Sequence, residues 1–363
     1  MKLTEYPYLV QSEILHNIDY RDLFLLSFVS NKMKKIIKSS QRNRFENIKS
    51  LNYKCYRNSH PIIYIRLKNG QKTDLLAVTK RQKFEGPECF SLNVSGKLID
   101  FKFYKYYATS YFGRFVATFN PDESTAVIES IHKYNLHFFG NSVDYYWRTE
   151  DHEINIPKLQ NVSTCMELWY ISPDTDNLND FFSTSPNLKS ISIRTTTPRE
   201  LVRPDSKFYQ AECVDTFQSY ITFPDIFHHF QGKRTFIQCR RCEISHLIDF
   251  VNRWKLGRTF EKLEVLSFRN FVARSMPPNK VFNDIGAKHI DATKTPPTHT
   301  VPTKVEWYNE KKEDKNTEAG PITSCTYVVR ETDKHVASVL IQGDIFRFGV
   351  WDMTEEEFLR MIE

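Results

Sequence analysis

The apolar positions in residues 5–40 recur with a helical period and predict three short helices. Pro7 favours a helix start, because its missing N–H would be unbonded there in any residue. Asp19 is suited to cap a second helix, and Ser30 or Asn31 a third. The apolar residues at helical spacing are Leu9, Val10, Ile14, Leu15, Ile18, Leu23, Leu26, Val29, Met33, Ile36 and Ile37.

These three helices carry more apolar surface than they can bury among themselves. Helices of two to three turns are marginal when isolated, and very small cores contribute little stability. The surplus therefore predicts a partner, which is either the rest of the chain or another protein.

The pattern changes to strands in residues 61–120. The apolar run 62–67 ends at Asn69-Gly70, a dipeptide typical of a two-residue hairpin, and a second run returns at 75–78. A further alternating run at 90–94 breaks at Ser95-Gly96 and resumes at 98–101. Helical spacing then returns at residues 121–134. The sequence therefore predicts a sheet with at least one helix.

Two segments repeat a helix followed by a short strand. They are residues 177–193 and 246–268, and each places its strand in an "xLxxLS" context with a further apolar residue. Ser245 is expected to cap the second helix and Gly257 to end it. The units are similar in kind to one turn of a leucine-rich repeat, but two or three irregular copies do not predict a regular solenoid.

The last third combines a polar insert with a second sheet. Residues 294–321 are rich in proline and charge and predict a long mobile insert. Residues 326–351 alternate in the manner of a β-meander. Thr354 and Glu357 then form a capping box for a final helix.

Charge, hydropathy and cysteine content indicate where in the cell this protein is expected. The formal net charge is +6, no apolar run approaches a membrane span, and no signal-peptide pattern opens the chain. The seven cysteines are odd in number and scattered, which favours free thiols in a reducing compartment. We expect a cytoplasmic and/or nuclear protein that does not contact a membrane.

Candidate chemistry is sparse. Cys239, Cys242 and His246 are the one metal-like cluster, but no second pair stands at structural zinc spacing. A thiol or zinc enzyme centred on these residues is an alternative that we keep open. The sequence otherwise shows no nucleotide loop, nucleophile elbow or zincin helix. We therefore expect no catalytic residue, no metal and no cofactor.

Lysine and arginine dominate residues 31–49, with Glu46 as the only acid. One hypothesis is a nucleic-acid-binding segment. We favour the solvated face of a helix instead, because no aromatic residues interleave with the charges as base-stacking surfaces require. Nucleic acid is therefore an unlikely partner on sequence grounds.

The segment from Pro7 to Ile36 resembles an F-box. It keeps the family's proline, its apolar pairs on the first helix, and its "dL..l..vSk" pattern at Asp22–Lys32, whereas Tyr6 replaces the usual leucine and Met33 the frequent aromatic residue. The resemblance implies binding to a Skp-type adaptor and, through it, to a cullin scaffold. The implied adaptor-binding residues are Pro7, Leu9, Val10, Ile14, Leu15, Ile18, Leu23, Leu26, Val29 and Met33.

A second resemblance follows the first along the chain. Trp254-Lys255-x-Gly257 and Leu263-Glu264-x-Leu266-Ser267 are similar to a segment of the nematode-type F-box-associated (FBA) domain. Together the two resemblances imply an α+β protein with a small three-helix F-box at 1–45. They imply an α/β FBA-like domain at 46–363 with irregular helix–strand units and a C-terminal β-meander.

The function that these resemblances imply is non-enzymatic. The protein would be the substrate-recognition subunit of a Skp-cullin-F-box (SCF) ubiquitin ligase, with an unknown target held by the FBA-like domain. The alternatives are a scaffold that does not lead to degradation and a nucleic-acid-binding protein.

Overall fold

The fold is taken from a computed structural model. It describes residues 3–56, 61–81, 89–104, 114–150, 156–171, 175–186, 188–195, 202–218, 225–239, 243–270, 278–300 and 320–362.

The chain divides into two compact units, Met1–Thr164 (unit 1) and Cys165–Glu363 (unit 2). N-terminal helices precede sheet-rich structure, which confirms the predicted α+β class. The four N-terminal helices belong to unit 1 together with its sheet. The predicted domain boundary after residue 45 stays a prediction.

Unit 1 contains five α-helices and seven strands among its described residues. In chain order these are α1 (Tyr8–His16), α2 (Tyr20–Ser27), α3 (Asn31–Ser40), α4 (Arg42–Phe45), β1 (Ile48–Cys55), β2 (Ile62–Leu67), β3 (Lys72–Lys80), β4 (Cys89–Val94), β5 (Lys97–Tyr104), β6 (Arg114–Phe119), α5 (Ser124–Phe139) and β7 (Asp144–Thr149).

The strands of unit 1 pair in the order β7-β1-β2-β3-β6-β5-β4. The hairpin predicted at Asn69-Gly70 is confirmed, since β2 pairs antiparallel with β3, and the two runs on either side of Ser95-Gly96 pair antiparallel as β4 and β5. Gly70 adopts φ +87° and Gly96 φ +96°, which glycine reaches without the strain of a Cβ. The predicted helix at 121–134 begins at Ser124 and continues to Phe139.

Unit 2 begins within a strand that crosses the boundary and contains the remaining elements. They are β8 (Val162–Ile171), α6 (Thr175–Thr184), β9 (Leu188–Thr195), β10 (Cys213–Gln218), α7 (Ile226–His229), β11 (Arg234–Cys239), α8 (Ile244–Lys255), β12 (Val265–Asn270), α9 (Pro278–Asp284), β13 (Lys288–His289), β14 (Thr298–His299), β15 (Ile322–Thr323), β16 (Thr326–Val329), β17 (His335–Gln342), β18 (Ile345–Thr354) and α10 (Glu355–Met361).

Four parallel strands, β9 to β12, lie side by side in chain order. Their register is aligned, so that Ile191, Val214, Thr235 and Leu266 form one row across the sheet. Consecutive parallel strands joined by helical segments give the winding of a solenoid. Both predicted helix–strand units are present, as α6–β9 and α8–β12, and α7–β11 is a further unit that the sequence pattern did not reveal.

The two ends of α8 were predicted with different success: the predicted N-cap is wrong and the predicted end is correct. The N-cap is Glu243 rather than Ser245, which lies inside the helix. Gly257 does end the helix, with φ +68°. A Cβ at this position would lie 2.2 Å from Thr332 Oγ1, so the close approach of the two segments requires glycine.

The C-terminal strands β16, β17 and β18 form the predicted antiparallel meander. Strand β18 also pairs with β12, which joins the meander to the parallel strands. Thr354 and Glu357 form the predicted capping box at the start of α10. Most of the predicted insert at 294–321, namely 301–319, lies outside the described residues. Among the helices of the described residues, none combines the length and the apolar character that a membrane crossing requires.

Candidate functional site

The first three helices start where their sequence signals placed them. Pro7 precedes α1 as its N-cap residue. The Asp19 carboxylate accepts a hydrogen bond from the Asp22 backbone N–H at 2.8 Å, and Ser30 Oγ accepts one from Met33 N–H at 3.0 Å. Such caps satisfy backbone donors that have no partner within the helix and contribute about 1 kcal/mol each.

The bundle packs against α5 through a cluster of aromatic rings, which we call the aromatic seam. Phe24 is fully buried, and four rings lie with their centroids 5.0–6.0 Å from its own. Offset and edge-to-face ring pairs at such distances are favourable beyond the area they bury. The seam consists of Phe24, Phe28, Phe45, Tyr134, Phe138 and Phe139.

Hydrogen bonds reinforce the seam. Ser27 Oγ donates to the carbonyl oxygen of Phe24, so the Tyr134 hydroxyl is the donor in its 2.7 Å contact with Ser27 Oγ. Burial raises the pKa of Tyr134 to about 12, which keeps this hydroxyl protonated and able to donate. The rest of unit 1 therefore covers part of the apolar surplus that the sequence predicted for the helices.

The ten predicted adaptor-binding residues fall into three groups by exposure. Leu15 and Leu23 have no exposed surface, so they could influence binding only through the shape of the bundle. Leu9 is 79% exposed and Val29 69%, and both can be contacted directly. Pro7 and Val10 are also exposed, whereas Ile14, Ile18, Leu26 and Met33 are half-buried. The assignment of these residues to an interface stays a prediction.

Comparison with known families gives one match. The F-box domain family matches residues 7–45. An F-box domain occupies this segment. Comparison with curated proteins and with solved structures gives no match. No F-box-associated domain and no nematode-type family is shown, so that resemblance stays a prediction.

The F-box domain supports a general role as an adaptor in SCF-type ubiquitin ligases, where F-box domains bind Skp1-type adaptors. Proteins of this kind are typically non-enzymatic. The matched range ends at Phe45, the last residue of α4 and a member of the aromatic seam.

A run of exposed apolar residues, Tyr6 to Val10, spans the start of the F-box, and we call it the apolar patch. Tyr6 and Tyr8 are exposed, but the sequence interpretation noted Tyr6 only as a departure from the family pattern and did not select Tyr8. The sequence did contain a signal that these residues would be exposed. Successive residues point in different directions around a helix, so five consecutive apolar positions cannot all be buried on one face.

Arg44 is an internal clamp of the F-box rather than part of a solvated basic face. Its guanidinium donates to the carbonyl oxygens of Leu15 (3.1 Å), His16 (3.0 Å) and Ile18 (3.0 Å). It also lies over the ring of Tyr20, 4.7 Å from the centroid. Arg44 thereby satisfies carbonyl groups at the end of α1 and in the α1–α2 connection.

We expect Arg44→Lys to lower the free energy of unfolding of unit 1 by about 1–2 kcal/mol, because one ammonium group cannot reproduce a planar fork that reaches three carbonyls. Hydrogen exchange should speed up at the backbone amides of residues 16–19. The control is Arg42→Lys, whose side chain is 81% exposed and pairs with Glu46. We expect that change to cost no more than about 0.5 kcal/mol. Equal effects of the two changes would contradict the clamp.

The metal-like cluster of the sequence is only partly described. Cys239 is buried at the end of β11, and His246 lies in the first turn of α8. Cys242 lies outside the described residues. Within the part of the chain that the structure describes, no group of three or more metal-ligating side chains comes together.

Proposed function

We propose that this protein is the substrate-recognition subunit of an SCF-type ubiquitin ligase. The F-box would bind a Skp1-type adaptor and, through it, a cullin scaffold. The residues after 45, which resemble an FBA domain, would hold a target protein. We place this activity in the cytoplasm and/or the nucleus, as the composition suggests.

The observation that carries the proposal is that the segment matched by the F-box family folds into a helical bundle and leaves apolar side chains exposed to solvent. Monomeric proteins rarely leave neighbouring large apolar residues exposed without a use for them. The apolar patch at Tyr6–Val10 is such a group, and the exposed Val29 is a further apolar side chain that an adaptor could cover. Covering them with an adaptor would remove apolar area from water and contribute to affinity.

The contribution of such a subunit is positional. Holding a target and an adaptor in one complex raises the effective concentration of a target lysine near the conjugating enzyme. The transfer chemistry belongs to other subunits, so this chain needs no catalytic group for the role.

The first test measures complex formation with a Skp1-type adaptor. We expect the full chain to co-purify with the adaptor and the variant Leu9→Asp with Val29→Asp to lose at least about 100-fold in affinity. Two apolar contacts would be lost and two charges would be desolvated at the interface. Leu15 and Leu23 are poor choices for this test, because they lie in the core and their substitution would unfold the bundle.

The matched control is Leu98→Asp. Leu98 is as exposed as Val29, at 69%, but lies on β5 outside the F-box. It should leave adaptor binding unchanged. Full affinity in the Leu9/Val29 double variant, or no binding by the folded wild-type chain, would overturn the proposal. Target half-life with and without the protein then separates a degradative receptor from a scaffold.

A further inference from the structure

Two neighbouring helices of unit 1 present a cluster of positive charges, which we call the basic face. Lys34 and Lys38 are one turn apart on α3, and Lys133 and His137 are one turn apart on the exposed side of α5. Lys35 adjoins this pair on α3, whereas Lys32 lies toward the other side of the helix. The basic face consists of Lys34, Lys35, Lys38, Lys133 and His137, of which the four lysines carry the charge near pH 7.

Contacts between the two helices place these charges together. Lys38 Nζ donates to the carbonyl oxygen of His137 at 2.7 Å. Lys34 Nζ lies 4.7 Å from the centroid of the Tyr134 ring, which belongs to the turn of α5 before His137. The basic face is therefore a single surface built from α3 and α5, and it is fixed by defined contacts.

The lysines of the basic face form no ion pair within the part of the chain that the structure describes. Among the described residues, no carboxylate lies within salt-bridge distance of any lysine of the basic face, whereas Arg42 pairs with Glu46 and Arg21 with Asp22. Like charges four residues apart on a helix are destabilising. The exposed Glu129 lies one turn before Lys133 on α5 without pairing with it, and the lysines of α3 remain a surplus of positive charge where an anionic partner would be favourable.

The ionisation of the cluster reflects this crowding. Burial lowers the pKa of Lys34, and the neighbouring Lys38 lowers it further. Burial also lowers the pKa of His137, and both lysines add to that shift. A bound carboxylate would relieve the repulsion that these shifts report.

We propose that the basic face binds an acidic segment of a polypeptide. Its charges are ammonium groups, which attract carboxylates as point charges and lack the planar fork of arginine. Side chains four apart on a helix lie about 6 Å from each other, close to the spacing of about 6.6–6.8 Å between alternate residues of an extended peptide. Carboxylates at alternate positions therefore match the lysine pairs.

The same surface is poorly suited to single-stranded nucleic acid. Such binding uses aromatic rings on which bases stack. Tyr134, the ring within the basic face, is buried and covered by Lys34. The inference does not depend on adaptor binding, because none of these residues is among the ten predicted adaptor-binding residues.

The test is the binding of the full chain to a fluorescent peptide of about twelve residues with glutamate at alternate positions. We expect saturable binding at about 50 mM salt that weakens as the Debye length shortens. The variant Lys34→Gln with Lys38→Gln and Lys133→Gln should bind at least about tenfold more weakly. The same peptide with glutamine in place of glutamate should not bind.

The matched control removes the same number of charges from the exposed lysines of the β2–β3 hairpin, as Lys68→Gln with Lys72→Gln and Lys80→Gln. It should change the affinity less than about twofold. Lys133→Glu is a second variant in case the triple variant unfolds, since Lys133 is exposed and its reversal leaves α3 untouched. It should also weaken peptide binding.

Three outcomes would overturn the proposal. The first is no peptide binding by the wild-type chain. The second is an equal loss in the triple variant and its control, which would reduce the effect to net charge. The third is tighter binding of an oligothymidine or a DNA duplex than of the peptide, lost in the same variant, which would assign the surface to nucleic acid. Adaptor binding measured in parallel should be unaffected, which separates this proposal from the proposed function.

Discussion

Replacing Phe24 with alanine is expected to lower the free energy of unfolding of unit 1 by about 3–5 kcal/mol. Phe24 has no exposed surface, and the rings of Phe28, Tyr134, Phe138 and Phe139 surround it at centroid distances of 5.0–6.0 Å. The truncation removes the transfer energy of the ring and leaves a cavity at the seam between α2 and α5. Urea unfolding of the full chain, followed with hydrogen exchange in residues 20–45 and 124–139, measures the effect.

Val29→Ala is the control for this change, because Val29 lies two residues beyond α2 and is exposed. Its expected cost is within about 0.5 kcal/mol. A cost below about 1 kcal/mol for Phe24→Ala would show that the seam does not hold the F-box on the rest of unit 1. The contrast also has a functional use. Phe24→Ala should weaken adaptor binding only through unfolding, whereas a surface change such as Leu9→Asp should weaken it in a folded protein.

Signals that act within a few residues allowed correct predictions. Asp19 and Ser30 cap their helices, Asn69-Gly70 turns a hairpin, and Thr354 with Glu357 forms a capping box. Each depends on side-chain and backbone groups that lie next to each other in the chain. The start of α8 is the exception, since Ser245 has the chemistry of a cap but the chain enters the helix at Glu243.

The sequence signals could not predict which apolar side chains of the F-box helices are buried. Leu9 and Leu15 both satisfy the helical period, yet one is exposed and the other is in the core. The difference depends on which side of the bundle meets the rest of unit 1, whose elements extend as far along the chain as α5 (Ser124–Phe139) and β7. The pattern gives the spacing of apolar residues, but it cannot identify which distant element covers them.

Unit 2 shows the same limit for whole elements. The unit around α7 was missed because Ile226–His229 is a single turn, which is too short to show a helical period. In unit 1, the parallel pairing of β1 with β7 could not be predicted from the pattern either, because it joins segments about 90 residues apart. In the candidate site, the apolar patch could have been predicted from the sequence. The basic face could not, because its two halves come together only when α3 packs against α5.

Replacing Trp254 with alanine is expected to lower the free energy of unfolding of unit 2 by about 3–5 kcal/mol. Trp254 has no exposed surface, and its ring lies edge-on to Phe348 with centroids 5.0 Å apart. The guanidinium of Arg330 lies 5.1 Å from the Trp254 ring centroid and pairs with Asp333 through Nε and Nη2. The change would therefore open a cavity and also remove the aromatic surface under a buried cation.

Two controls separate packing from a role in binding. Trp254→Phe keeps an aromatic ring and should cost less than half as much as alanine, whereas Leu256→Ala removes an exposed side chain at the end of α8 and should cost within about 0.5 kcal/mol. Thermal unfolding, with hydrogen exchange in residues 244–255 and 345–354, measures all three. Because Trp254 lies inside the fold, loss of target capture in the alanine variant should track the loss of folded protein. A Trp254→Ala protein with a wild-type melting temperature would contradict the packing argument. If that folded variant also failed to capture a target, Trp254 would be assigned to binding.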